Sequence, residues 1–492
     1  MKDILKGVIA SYPKWADSLE ISGVTDNSRQ VRRGYLFIAV KGHTQDGRCF
    51  IKDAIGKGAS AIVAEEDFGS FKGVANILVP DSRATMAVIG DNFYHHPSRK
   101  LKVIGITGTN GKTTITYILE SILKAAGCEP GVIGTINYRW KGNFIPAKNT
   151  TPGCLDLQNM LAQMVSQGVK AVVAEVSSHS LDQGRIGKIH FDAAIFTNIT
   201  SDHLDYHKTT LRYFQAKKKI FNHLKAGGFA ILNNDDRKVA SLKKSLKKKV
   251  LTFGVKENSD FSATAVDLSI SGTTFKINTP TGAYPVKTSL IGTHNVSNIL
   301  ASVAAAYALG ISREEIVKGI ESVKMVPGRL EAVDVGQAFK VFVDFAHTED
   351  ALYNILSLLR PLATRRIVTV FGCGGNRDVT KRPAMGRVAC RFSDHVIITS
   401  DNPRFEDPRV IAGEIESGVK GTFSNYDIVI DRRKAIEKAL KLAAEDDIVV
   451  IAGKGHETYQ IIGNEVVPFD DREIAAQILK DNPTPYQCKG GD

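Results

Sequence analysis

The stretch TGTNGKTT, residues 107–114, sets two glycines beside a lysine and two threonines, between the apolar run KVIGIT (102–107) and the helical pattern TTITYILESILKAAG. Glycines let several backbone N–H groups curl toward one point, and a helix N-terminus at that point favours an anion. In such a loop, Gly108, Thr109, Asn110, Gly111 and Thr114 form the cradle, Lys112 reaches the terminal phosphates of a nucleotide and the Thr113 hydroxyl ligates magnesium. Ile106 stands where the strict phosphate-loop pattern has its first glycine, so the strand–loop–helix context carries the reading rather than the spelling.

Two other places carry chemistry. Glu175 in AEVSSHSL and His203 in TSDHLDYH are hard and borderline ligands for magnesium; taken singly, each is more often a capping or surface group, and only with the phosphate loop does the metal reading prevail. Further on, HVIITSDNPRFEDP (395–408) ends an apolar run and sets Arg404 behind Pro403. A guanidinium there is a fork for a carboxylate, or the partner of Glu406 or Asp407 in a structural ion pair.

These groups need elements to hold them. The first hundred residues alternate short strands and helices (YLFIAV, FIKDAIGKGA, SAIVAEED), and the polar FYHHPSRKLK reads as a linker. Ile115, Ile118, Leu119 and Ile122 recur at helical spacing after the phosphate loop, with Gly127 as a stop. AVVAEV (171–176) and AAIFTNIT (193–200) are buried-strand patterns, and Pro327–Gly328 punctuates a boundary. Beyond it, KVFVDF, RIVTVFG, HVIITS and DIVVIAG alternate with helices such as DALYNILSLL and RKAIEKALKLAA. That rhythm predicts a doubly wound, mostly parallel sheet binding ligands beyond the carboxyl ends of its strands. Polar clusters sit at four of those ends: Asp344 with His347, Arg377, Asp401 to Arg404, and Gly453 to Glu457. The expected class is α/β in three domains: a small N-terminal α/β domain (1–98), a central phosphate-loop domain with a mostly parallel sheet (99–327), and a Rossmann-like domain (328–492).

Composition narrows the class. A chain of 492 residues is too long for a single core, since cores stop growing at about 250–300 residues. No apolar run spans a bilayer, the first residues make a poor signal peptide, and LASVAAAYALGI (300–311) reads as a packed helix; a cytoplasmic protein is expected. Six scattered cysteines without a CxxC argue against a disulfide framework or zinc site. The net charge of +12 suits anionic substrates. KKSLKKK (243–249) lacks the interleaved aromatics of a nucleic-acid surface and reads as a solvated face.

GTNGKTT, EVSSH, TNITSDHLDYH, YFQAKKKIF, GTHNVSN, PGRLE, DFAHTEDAL, GCGGNRD, SDNPRFEDP and AGKGHE together resemble, in content and order, the Mur ligase family. The resemblance runs from TDNSR to GKGHE. It implies an ATP-dependent, ADP-forming carboxylate–amine ligase that uses magnesium and an acyl phosphate. Its substrates would be ATP, UDP-N-acetylmuramoyl-L-alanyl-D-glutamate and meso-2,6-diaminopimelate, in peptidoglycan precursor synthesis, with no nucleic-acid partner, no membrane span and a monomeric state. DNPR resembles the diaminopimelate-adding type; the lysine-adding variant and a folylpolyglutamate-synthetase-like ligase are the alternatives.

Residue by residue, the resemblance implies that Lys217 is carbamylated and shares a magnesium with Glu175 and His203, with Lys218 and Lys219 favouring its neutral amine. Asn298, Arg329 and Asp344 would join the loop in contacting ATP. Ser28, His43, Thr44 and Gln45 would contact uridine diphosphate, although these residues also suit ordinary turns. Asn149, Thr150, Thr151, Ser177, Gln183 and Arg185 would contact the muramoyl dipeptide. Arg377, Asp401, Asn402, Pro403, Arg404, Gly453 and Glu457 would take the amino acid. The family's DYAHTPDAL is DFAHTEDAL here, which puts only local loop geometry in doubt.

Overall fold

β-Branched and aliphatic residues in short runs, closed by glycine or polar turns, build every sheet of this chain. The computed structural model describes residues 1–42, 46–200 and 202–482. The chain forms two compact units: Met1–Ala263 with Ile277–Ala283 and Ser297–Ile320, and Thr264–Lys276 with Tyr284–Val296 and Glu321–Asp492.

The first unit holds a four-stranded parallel sheet in sequential order: Gly23–Thr25, Tyr35–Ile38, Ala61–Ala64 and Ala75–Leu78. Alternate side chains point to opposite faces, so Leu36, Ile38 and Val63 join one apolar cluster while Phe37, Ile62 and Ala64 join another. In the larger sheet, Lys102–Thr107 lies between Ala171–Glu175 and Phe191–Phe196, all three parallel. Because Ile106 is level with Glu175 on one side and with Ile195 on the other, the three carboxyl ends open along one edge. Leu224–Asn233 and Lys249–Gly254 extend this sheet in parallel beyond Phe191–Phe196. Beyond Ala171–Glu175 come the parallel Pro130–Ile133, then the antiparallel Asn137–Trp140 and Asn143–Pro146.

Helix Lys112–Ala125 buries Ile115, Ile118, Leu119 and Ile122, the predicted stripe, together with Leu123, and stops where the Gly127 N–H donates to the Lys124 carbonyl. The alanine-rich run lies in helix Thr293–Ala308 up to its last three residues, and Leu300, Ala301, Ala304 and Ala305 are fully buried. Among the described residues no helix is long and apolar enough to cross a membrane.

The second unit centres on a six-stranded sheet in the order Glu331–Ala332, Lys340–Asp344, Ile448–Ala452, Ile367–Phe371, His395–Ile398, Tyr426–Ile428. Only the first pair is antiparallel, and Ile448–Ala452, the last of these six in sequence, is inserted between Lys340–Asp344 and Ile367–Phe371. Phe342, Ile398 and Val450 pack on one face, Val343, Ile397 and Val449 on the other. Helices cover both faces, as a doubly wound sheet requires. An antiparallel hairpin, Tyr459–Ile462 with Glu465–Pro468, follows the last strand.

Candidate active site

The loop after strand Lys102–Thr107 is tightly scaffolded. Gly111 caps the following helix in the left-handed region (φ 90°), and a Cβ there would collide with the Asn298 side chain. Only glycine brings the backbone this close to helix Thr293–Ala308. The Thr197 hydroxyl donates to the Asn110 carbonyl (2.6 Å), and the Asn110 N–H donates to Asn198 Oδ1 (2.9 Å). Lys112 Nζ curls back over the loop, donating to the carbonyls of Gly108 (3.0 Å) and Thr109 (2.9 Å). Thr113 and Thr114 are both buried.

Buried Glu175 ends the neighbouring strand and faces this loop. It accepts from the Thr113 hydroxyl (3.0 and 3.2 Å), the Thr135 N–H (3.0 Å) and the Thr135 hydroxyl (2.9 Å). A Cβ on Gly134 would lie 2.6 Å from Glu175 Oε1, so glycine leaves room for the carboxylate. Thr113 Oγ1 and Glu175 thus make a compact pair of hard oxygen donors, which suits magnesium beside bound phosphates.

Lys217, in helix Thr210–Lys218, is fully enclosed; its Nζ donates to the Gly108 carbonyl (2.7 Å) and lies 4.6 Å from the Tyr213 ring centroid. Burial, followed by the nearby Lys112 charge, pushes its amine well below the usual lysine range. Lys218 and Lys219, expected to supply that effect, are not its cause; Lys219 pairs with Asp182 (2.8 Å). His203 sits at a left-handed φ of 52° before helix Leu204–His207, with its ring 6.2 Å from Tyr213 and 4.9 Å from His179. Although 48% of its side chain reaches solvent, the surrounding protein, with His179 and the Lys112 charge, outweighs the nearby Asp202 and lowers the imidazole pKa to about 4, keeping it neutral, the form that ligates a metal. No hydrogen bond joins Glu175 to His203, and no three acidic, histidine or cysteine side chains form a ready cage among the described residues.

The KNTTPG segment lies against Glu175 by its backbone. The Thr151 hydroxyl donates to the Glu175 carbonyl (2.8 Å) and accepts the Ser177 N–H (3.1 Å); the hydroxyls of Thr150 and Thr135 are 3.2 Å apart. Arg185 donates to the Thr151 carbonyl (3.5 Å), Gln183 to the Tyr206 hydroxyl (3.3 Å) and Tyr138 to the Asn149 carbonyl (2.5 Å). Ser177 caps helix Ser178–Asp182. Four of the six dipeptide candidates, Thr150, Thr151, Ser177 and Arg185, are therefore linked, within two bonds, to Glu175 or Thr151; Asn149 is tied to Tyr138 and Gln183 to Tyr206 instead. Ser28 is buried apart from them at the start of a short turn. A cavity of about 420 Å³ opens beside it, lined by Thr25, Asp26, Arg29, Arg32, Tyr94 and Asp156 among others. His43, Thr44 and Gln45 lie outside the described residues.

In the second unit, Asp344 accepts the N–H groups of Leu330 (2.7 Å) and Ala346 (2.8 Å). It thereby shapes the loop carrying Arg329, whose guanidinium lies 5.1 Å from the Phe345 ring centroid. The residue that departs from the family's tyrosine is thus a packing platform. Arg404 Nη1 donates to the Gly375 carbonyl (2.8 Å), and a Cβ on Gly374 would touch both Arg404 (2.9 Å) and Arg377 (3.8 Å). Arg377 approaches this glycine with its Cγ, its charge acts on Arg404, and neither arginine has a carboxylate within ion-pair distance among the described residues, although the charges of Asp401 and Glu457 reach Arg404. The proposed partners of Arg404 are engaged elsewhere: Glu406 with buried Arg382, and Asp407 as the cap of helix Pro408–Glu416. Asp401 Oδ2 would lie 2.7 Å from a Cβ on Gly453 (φ 116°), and Asn402 Nδ2 donates to Glu457 Oε2 (2.9 Å). Pro403 fixes the chain between Asn402 and Arg404.

Three family models account for most of the chain: the Mur ligase family catalytic domain over residues 20–94, the Mur ligase middle domain over 106–306, and the Mur ligase glutamate ligase domain over 328–455. The chain belongs to the Mur ligase family. A relative from Caldanaerobacter subterraneus subsp. tengcongensis, named UDP-N-acetylmuramoyl-L-alanyl-D-glutamate–2,6-diaminopimelate ligase, is 44% identical over 98% of this chain and 99% of its own. One of the same name from Geobacillus kaustophilus is 46% identical over 94% and 95%. A solved structure titled with that name is 33% identical with a TM-score of 0.69, covering 94% of this chain and 95% of its own. MurF from Acinetobacter baumannii, 21% identical with a TM-score of 0.67, shares the fold.

Several residues of this Mur ligase site escape sequence reading. Thr135, which grips Glu175, sits in an unremarkable GTIN. Tyr213 and His179, beside Lys217 and His203, fall inside quoted motifs, yet nothing in their spacing shows that they converge. Lys454 lies in AGKGHE, and its burial could be found only in three dimensions.

Proposed function

We propose that this chain joins meso-2,6-diaminopimelate to the D-glutamate of UDP-N-acetylmuramoyl-L-alanyl-D-glutamate, consuming ATP and forming ADP, in peptidoglycan precursor synthesis. The family membership supports the reaction class. One observation carries the choice of amino acid: the Arg404 guanidinium lies against Gly374, near the charge of Arg377, with no carboxylate in ion-pair contact among the described residues. Diaminopimelate carries a carboxylate at its far end, which a guanidinium grips in two bonds; lysine would bring an ammonium and be repelled.

The chemistry then follows from the groups present. The D-glutamate carboxylate attacks the γ-phosphorus of ATP, the bond to ADP breaks, and an acyl phosphate forms. The acceptor's amine attacks the acyl carbon, phosphate leaves with the bonding pair, and the nitrogen loses a proton. Loop N–H groups and Lys112 hold the phosphates, lowering the repulsion between two anions. Thr113 would hold magnesium beside the phosphates, and Glu175, His203 and carbamylated Lys217 would share a second one; the metal would supply charge neutralisation. A buried neutral amine is the form of Lys217 that can add to carbon dioxide. Asn298, Arg329 and Asp344 would serve the nucleotide, Ser28 with 43–45 the uridine diphosphate, and Asn149 to Thr151, Ser177, Gln183 and Arg185 the dipeptide. The domain boundaries 1–98, 99–327 and 328–492, a monomeric state and a cytoplasmic location belong to the same reading.

The test is phosphate release with ATP and the uridylated dipeptide, offering meso-diaminopimelate, L-lysine or L-ornithine in turn. Release with the first alone is expected. Equal use of lysine would replace this reading with the lysine-adding variant, and no release with any acceptor would end it.

A further inference from the structure

Lys454 follows Gly453, and its side chain is fully buried. Removing an ammonium from water is strongly unfavourable unless other groups replace the lost hydration. An ammonium has three donors, and here they meet three acceptors: Glu457 Oε2 (3.2 Å), Asn402 Oδ1 (3.4 Å) and the Tyr459 carbonyl. The Tyr459 ring centroid lies 5.7 Å from the same nitrogen.

The three acceptors belong to three different segments: the DNPR loop, the GKGHE loop and strand Tyr459–Ile462. Other bonds bind the same segments together. The Ile461 N–H donates to Asn402 Oδ1 (3.0 Å) and Gln460 Nε2 to the Asp401 carbonyl (2.7 Å). The Arg404 N–H donates to the Ile461 carbonyl (2.9 Å), and the Gly463 N–H to the Arg404 carbonyl (2.6 Å). Lys454 is the charged centre of this knot.

Its effect on Glu457 is specific. Oε2 accepts from both Lys454 and Asn402, whereas Oε1 accepts from nothing among the described residues. One oxygen is tied down behind, which fixes the carboxylate's rotamer and leaves the other to face a cation. Arg404 and Arg377 offer positive charge nearby in the same unit. A carboxylate and a guanidinium pair held in fixed relation match a ligand end that carries an ammonium and a carboxylate on one carbon.

We propose that Lys454 is a positioning residue for the amino-acid acceptor, fixing Glu457 and Asn402 so that, with Arg404, they recognise the far ammonium–carboxylate end of a diamino dicarboxylic acid. The proposal rests on assigning the DNPR and GKGHE loops to that acceptor. Lys454 touches no substrate; it acts through Glu457 and Asn402.

Steady-state kinetics on the full chain, varying each of the three substrates in turn, test it in Lys454→Met, Glu457→Gln, the double variant and Arg404→Ala. Lys454→Met should raise KM for meso-diaminopimelate about tenfold or more, leave kcat at saturation within about threefold, and leave KM for ATP and the dipeptide within about twofold. Because the two side chains act as one unit, the double variant should be no worse than the more damaged single variant. An unchanged KM for diaminopimelate in Lys454→Met, where Arg404→Ala raises it, overturns the role of Lys454. An even loss across all three substrates also overturns it, as the mark of a purely structural group. If Arg404→Ala leaves that KM unchanged as well, the assignment of the loops has failed, and the proposal with it. Should Lys454→Met not fold, Lys454→Arg carries the test: its planar head cannot donate in the same three directions, and an unchanged acceptor KM there overturns the proposal.

Discussion

Arg404 occupies the left-handed region, with φ 53°. For a residue with a Cβ this conformation costs about 1–2 kcal/mol, and it persists because the bonds to Ile461 and Gly463 hold the backbone on both sides. A strained residue kept for its side chain has a separable signature. Arg404→Gly relieves the strain while removing the guanidinium, so the thermal midpoint should hold or rise while KM for diaminopimelate rises about a hundredfold. Thermal unfolding and acceptor kinetics on the one variant check both halves; a falling midpoint with unchanged KM would make Arg404 a structural residue. Arg404 was legible in the sequence because an arginine behind DNP at a strand end is unusual and its matching chemistry is narrow. Lys454 was not, because a lysine beside two glycines looks solvated until its neighbours are known. For Lys217, adjacent lysines looked like the cause of a neutral amine, whereas enclosure and Lys112, distant in sequence, are responsible.

Among elements, the buried strands were the easiest to read: KVIGIT spans the bounds of Lys102–Thr107, and the four apolar runs of the second unit all form strands. Runs buried on both faces need no amphipathic period to be recognised. The hairpin Tyr459–Ile462/Glu465–Pro468 was passed over, although its Gly463–Asn464 turn between apolar residues is a hairpin signal. What aligns the strands' amino ends is less visible. Asp447, with its side chain fully buried, accepts from Arg366 through the N–H (3.0 Å), Nε (3.1 Å) and Nη2 (2.7 Å), and from the Ala444 N–H (2.8 Å). Burial alone would raise its carboxyl, but the Arg366 and backbone donors outweigh burial and hold it below the usual range. A carboxylate whose folded pKa lies below its unfolded value stabilises the fold fully above that unfolded value, about 3.9, and loses the contribution as pH falls through the folded one. Asp447→Asn should therefore cost about 1–3 kcal/mol at neutral pH. The gap in thermal midpoint from the parent should narrow steadily below about pH 4. A gap that stays constant with pH would mean that shape, not charge, is what Asp447 supplies.

For the whole molecule, sequence punctuation reads as three domains; by contacts the described chain forms two compact units, residues 264–276 and 284–296 belonging to the second and 277–283 to the first. Local composition marks where a linker runs, but which parts of residues 264–296 pack with which unit is decided by contacts distant in sequence. Charge is legible at this scale without any structure. With 64 basic against 52 acidic residues, the molecule carries a positive field, and the exposed lysines at 243–249 contribute to it without belonging to a site. Such a field acts over roughly a Debye length, about 10 Å at 0.1 M salt, and is screened as salt rises. It should steer the uridylated dipeptide, which carries several negative charges, and leave diaminopimelate, whose charges cancel, almost unaffected. Raising salt from about 50 to about 500 mM should then raise KM for the dipeptide several-fold, KM for the amino acid far less, and kcat little. Parallel shifts in both would place the salt effect in the fixed contacts of Arg404 and Arg377 rather than in the field. A dipeptide KM indifferent to salt would leave the positive excess with no part in binding, because attraction between a cationic surface and an anion cannot survive screening unchanged.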